Sequence, residues 1–107
     1  MIPMLLTLLM LTISPVMGLV PLHAEARIEV GRTLAAGEVC LVWELRGADH
    51  ANSDCWEIHK DDQQRTWWKS ITLDEQGTWE VWLGVAGIDD KGVSVQTHTP
   101  YQEIIVQ

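Results

Sequence analysis

Glu57, His59 and Asp61 are spaced for chemistry, because positions i, i+2 and i+4 of an extended strand share one face. Two neighbouring ligands plus an oxygen donor would make a weak divalent-cation site. Nothing completes it. Asp49-His50 and Asp54 stand nearby, but the chain has no His-x-x-x-His pair, no Asp-x-Asp-x-Asp-Gly calcium loop and no third segment that obviously supplies a ligand. The segment therefore reads as a solvated polar face, with no metal and no other cofactor expected. Catalysis has less support still. Ser53, Ser70 and Ser94 lie in no Gly-x-Ser-x-Gly elbow, no glycine-rich phosphate loop exists, and the carboxylate pairs Asp61-Asp62 and Asp89-Asp90 stand in turns. The chain is expected not to be an enzyme.

The two cysteines, Cys40 and Cys55, are better used bridging each other than as nucleophiles. They have no Cys-x-x-Cys spacing, and an even count in an exported chain favours one disulfide. Closing that loop of about 15 residues contributes roughly 3 kcal/mol in the chain-entropy model. The other chemistry-bearing residues are aromatic, six tryptophans in 107 residues, more than a small core needs.

The balance of charge limits the partners. At a net −8 the surface repels phosphate backbones, and Lys60, Arg65 and Lys69 are too few for a basic stripe. Nucleic acid is excluded as a partner, and anionic membrane surfaces are disfavoured for the same reason.

The elements that position these residues come after an apolar leader. Ile2 to Leu22 carries no charge, is dense in Leu, Met, Ile and Val, and is interrupted by Pro15 and Gly18 before Ala24-Glu25-Ala26. Residues 1–26 therefore read as a secretory signal peptide with cleavage at Ala24 or Ala26, although no Lys or Arg precedes the apolar run. An uncleaved membrane anchor over residues 2–22 is the alternative, and only then is a membrane a partner. The expected location is secreted or extracytoplasmic, with one domain over residues 27–107.

Beyond residue 26 the chain shows no long helical period, no repeat and no low-complexity segment; short alternating stretches separated by turns fill it. Ala26 to Val30, Val39 to Leu45, Trp56 to His59, Arg65 to Leu73, Trp79 to Val85 and Glu103 to Val106 read as strands. Arg46 to Asp54 and Lys60 to Gln64 read as polar connections, and Asp74 to Gly77 as a turn. This pattern predicts an all-β, antiparallel sandwich of about seven strands. Strand parity puts Leu41, Trp43, Trp56, Ile58, Leu73, Trp79, Val81 and Leu83 in the core, and Trp82, three after Trp79, outside it. Of the adjacent Trp67 and Trp68, one faces each way.

Four of these passages, in this order, resemble the fibronectin type III family of immunoglobulin-like domains. Val39-x-Leu41-x-Trp43 is similar to the family's second strand and Trp56-x-Ile58 to its third. Leu73 followed by Trp79 is similar to its Leu-x-Pro-x-Thr-x-Tyr passage into the sixth strand, and Asp89-Asp-Lys-Gly92 to the turn that ends that strand. The chain departs from the family in four ways, one of which is that the turn before Trp79 lacks the family's proline. Trp79 replaces the corner tyrosine, so the hydroxyl bond of a tyrosine corner cannot form and the indole nitrogen can only donate. The sixth strand is about two residues too long, which implies a bulge or a longer loop after it. A cysteine pair is atypical, and the resemblance sets the second and third strands in opposite sheets, so the bridge needs either a bend near Cys55 or another register.

The resemblance implies a non-enzymatic module for protein interaction or adhesion, with a carbohydrate-binding module or a structural spacer of a surface or phage particle as alternatives. Trp82, Trp67, Trp68, Glu57 and His59 are the candidate ligand surface, with Glu57 and His59 expected beside Trp82. An exposed Trp82 indole points to sugar, a hydrophobic rim around it to protein, and a shielded indole to the spacer. Lys or Arg stems lying over the indoles would make them ordinary packing.

Overall fold

Leu9, Leu11 and Ile13 alternate with Met10, Thr12 and Ser14, and the two-residue period places the first set on one face of an extended chain. The computed structural model, which describes residues 9–107, has this stretch as strand β1 (Leu9–Ser14). The same alternation continues in β3 (Leu22–Val30), where Leu22, Ala24, Ala26, Ile28 and Val30 are buried and His23, Glu25 and Arg27 face solvent. Between them lies the two-residue β2 (Met17–Gly18). No helix occurs among the described residues, and so none long and apolar enough to cross a membrane.

The remaining strands are β4 (Leu34–Leu45), β5 (Asn52–Ile58), β6 (Thr66–Leu73), β7 (Gly77–Asp89), β8 (Ser94–His98) and β9 (Gln102–Val106). One sheet has the order β1-β3-β6 and is antiparallel throughout. The larger sheet has the order β2-β9-β7-β4-β5, with β8 on β7 beyond the end of β9. It is mixed, because β2 runs parallel to β9 while the other pairs are antiparallel. Both sheets turn their apolar faces into one core, which includes Leu11 and Ile28 from the first and Leu41, Leu83 and Ile104 from the second. The all-β arrangement is compatible with an immunoglobulin-like or fibronectin type III-like fold.

Several expectations change. Among the described residues strands are already present at Leu9 instead of starting near residue 26, because the apolar N-terminal run has a period of two under its uniform hydrophobicity. Ala24 and Ala26, expected at a cleavage site, are buried within β3, between β1 and β6. Residues 1–8 of the expected signal lie outside the described residues.

The β4 and β5 strands are neighbours in one sheet, whereas the family resemblance had set these two segments in opposite sheets. The ladder along β7 is irregular in two places, and in both the extra residue belongs to the partner: a register shift in β4 between Leu34 and Ala36, and the break between β8 and β9. At the shift Gly37 faces Gly87 so closely that a Cβ on Gly87 would lie 2.1 Å from the Ala36 carbonyl oxygen. Trp43 and Trp56, expected in the core, are only half-buried at its margin, while Leu41, Ile58, Leu73, Trp79, Val81 and Leu83 are buried.

Candidate functional site

Alternation along β7 decides what its outer face offers. Trp79, Val81, Leu83 and Val85 go inward, so Trp82, Gly84, Ala86 and Ile88 go outward, and the middle two of these carry almost no side chain. The neighbouring strands supply the walls. Cys55, Cys40, Gly84 and His98 stand in register across β5, β4, β7 and β8, and Glu57, Glu38, Ala86 and Gln96 form the next row. The result is a trough of ≈ 340 Å³ over Gly84 and Ala86, walled by Glu38 and Cys40 on one side and Gln96 and His98 on the other.

An aromatic group closes one end. Trp82 stacks on Tyr101 with ring centroids 4.4 Å apart and planes at 25°, an offset arrangement that adds to simple area burial. His98 packs against Tyr101 at 5.4 Å. The His98 Nδ1 lies 2.8 Å from the Thr99 carbonyl oxygen, which can only accept, so Nδ1–H is the donor of this bond. Tyr101 is 52% exposed and covers a half-buried Trp82.

The break between β8 and β9 positions this group. Leu83 falls where neither strand pairs with β7, and Thr99 takes over: its hydroxyl oxygen accepts from Leu83 N at 2.9 Å, while its own N–H donates to Leu83 O at 2.9 Å. Thr99 is the one buried polar residue among the described residues, which fits a side chain standing in for ladder hydrogen bonds. Tyr101 follows two residues later and folds over Trp82.

The large sheet's outer face is acidic. Glu38, Glu44, Glu57, Glu80 and Glu103 all project from it, Glu38 directly opposite Glu57 and Glu80 opposite Glu103. Arg46 bridges the second pair, 3.6 Å from Glu80 and 3.5 Å from Glu103.

The expected ligand surface is divided by the structure. Trp82 lies opposite Val42, whereas Glu57 belongs to the row of Ala86, four residues further along β7, and His59 follows the end of β5. Glu57 and His59 therefore do not flank Trp82; they approach each other, at 3.7 Å. The His59 backbone N–H donates to the Asp62 carboxylate at 2.8 Å, closing a turn. Trp67 turns inward beside Trp56, ring centroids 5.7 Å apart, and Lys69 lies 4.5 Å over the Trp56 ring and 3.4 Å from Asp54. This cluster closes the seam where the β5 edge meets the β6 edge. Trp68 is 61% exposed on the outer face of the three-stranded sheet, with the Arg27 guanidinium 5.6 Å from its ring centre.

Cys40 and Cys55 form a disulfide between directly opposed residues, with their Cα atoms 4.0 Å apart. Both sulfurs face outward on adjacent strands, so no bend is needed. Such a bond belongs to oxidising surroundings and suggests an extracellular setting.

Sequence reasoning missed Tyr101, His98, Gly84 and Ala86. The last two were readable, since small residues at outward positions of a long strand leave a bare surface. Tyr101 stands in an irregular break and gave no periodic signal. The chain matches no protein-family model, and no curated protein or solved structure matches it.

Proposed function

We propose that this chain is a non-enzymatic interaction module of the fibronectin type III-like kind, acting outside the cytoplasm, which binds a protein partner through the outer face of its large sheet. The observation that carries this reading is the bare trough over Gly84 and Ala86 beside the stacked Trp82 and Tyr101. An aromatic anchor next to a concave surface with a polar wall is the usual composition of a protein-binding centre. Tyr101 lies over Trp82, which speaks against a sugar at this position; that shielding also fits a structural spacer, and it is the exposed Tyr101 ring beside the trough that favours a protein partner.

Strand order supports the family. With β2 counted as a short side strand and β8 and β9 as one interrupted strand, the second and third strands fall in opposite sheets, and the third, sixth and seventh share one. The resemblance implies both features, although it had taken Val39 to Trp43 for the second strand and they belong to the third. Trp79 fills the corner position by another route: its indole N–H donates to the Glu75 carbonyl oxygen, four residues upstream, at 3.0 Å.

A carbohydrate-binding reading is favoured by one observation, the exposed Trp68 on the opposite face. Affinity capture from extracellular extracts separates the two. A protein retained by the wild type and by Trp68→Ala, and lost by Tyr101→Ala, supports the proposal. Retention by Tyr101→Ala equal to the wild type contradicts it. A saturable change of tryptophan emission with a soluble glycan, abolished by Trp68→Ala, would establish the carbohydrate reading instead.

A further inference from the structure

We propose that the Cys40–Cys55 bridge closes a thiophilic divalent-cation site, for zinc or cadmium, that forms when the bridge is reduced. This inference does not depend on the interaction reading. Cys40 and Cys55 are directly opposed on adjacent strands, Glu38 and Glu57 are the next outward pair, and all four carry metal-ligating groups on one face. The Glu38 Oε1 lies 3.8 Å from the Cys40 Sγ, and the ligand atoms of Glu38, Cys40 and Cys55 all fall within 4.8 Å of one another.

The oxygen–sulfur distance is close to what a tetrahedral ion requires, and the sulfur pair has to open once its bond is broken. With zinc–sulfur bonds near 2.3 Å and zinc–oxygen bonds near 2.0 Å, neighbouring sulfur and oxygen ligands stand about 3.5 Å apart and two sulfurs about 3.8 Å. The Glu38 carboxylate already holds nearly the first separation, and freeing the two sulfurs lets side-chain rotation reach the second. Glu57, opposite Glu38, or a water completes the shell. Thiolate pairs select zinc and cadmium over the hard cations that carboxylates alone would take. The site is on the outer face, so ions reach it without opening the core.

The chemistry balances with an external dithiol as reductant. Two exchange steps pass two electrons and two protons to the protein, leaving two protein thiols and an oxidised cyclic disulfide. Metal binding then releases the two thiol protons and leaves two coordinated thiolates. Exchange with an external disulfide takes the two electrons back, leaves that disulfide as two thiols, reforms the bridge and expels the ion.

The test uses the full chain with cobalt(II) as a visible substitute for zinc. Protein is reduced with dithiothreitol, freed of it without air, and titrated beside the oxidised protein, Glu38→Gln, and a Cys40→Ser/Cys55→Ser double variant. Reduced wild type is expected to give thiolate-to-cobalt charge-transfer absorption at one ion per chain, displaced by zinc. Oxidised protein and the double variant give none, and Glu38→Gln binds about tenfold or more weakly. Reduced folded protein without that absorption, or Glu38→Gln binding as tightly as wild type, overturns the proposal. Loss of the folded tryptophan emission on reduction overturns it too, because the site needs β4 and β5 in register.

Discussion

Two single side chains do the work of missing backbone along β7, one near its start and one beside its middle. Trp79, 3% exposed, fills the core with its ring and ties the preceding turn with its N–H to Glu75. Trp79→Phe keeps most of the apolar volume and loses the donor, so urea unfolding should show a loss of about 1–2 kcal/mol. Trp79→Ala should cost about 3–5 kcal/mol. Thr99 is the second case. Thr99→Val preserves shape but leaves the Leu83 N–H buried and without an acceptor, which is expected to cost about 1–3 kcal/mol by the same measurement. An unchanged midpoint would mean that water or a neighbouring strand replaces the hydroxyl. Parity alone told which face Trp79 and Trp82 take, because a strand allows only two. It could not tell that Tyr101 would lie on Trp82, since that contact depends on where Thr99 breaks the edge strand. Nor could it place Glu57 and His59, because distance from Trp82 depends on the offset between β4, β5 and β7.

At the scale of elements, pairing between strands carries the account. Gly37 and Gly87 bring β4 and β7 together at the register shift, with no room for a side-chain carbon between them. Gly87→Ala should therefore destabilise by about 1–3 kcal/mol and lower the melting temperature, as overpacking does. The disulfide fixes β4 against the edge strand β5. The Cys40→Ser/Cys55→Ser double variant is expected to lose roughly 3 kcal/mol in the chain-entropy model while keeping its β-sheet circular dichroism. Most strands were legible from alternation and turn residues, β6 and β9 nearly to their ends. The first strand was not, because Leu9 to Ser14 lies in a run so apolar that average hydrophobicity concealed its period. The strand partners were hidden for a different reason. Which sheet β4 and β5 share is set by long-range pairing, to which local sequence is nearly blind.

For the molecule as a whole, the N-terminal strands and the outer face of the large sheet belong to one folding unit. A chain truncated to residues 27–107 loses β1, β2 and half of β3, with the buried Leu9, Leu11, Ile13, Leu22, Ala24 and Ala26. Thermal unfolding of that truncated chain should show no cooperative transition, and a sharp one would show that the core closes without β1. The proposed function depends on the bare trough, and Gly84 offers a clean way to fill it. A Cβ placed there meets nothing within 4 Å, so Gly84→Arg occupies the trough without disturbing the core. The most direct test compares wild type and Gly84→Arg for melting temperature and for capture of an extracellular protein partner. An unchanged melting temperature with capture lost is the predicted result; capture equal to wild type at an unchanged melting temperature would contradict the assignment of this face as the binding surface.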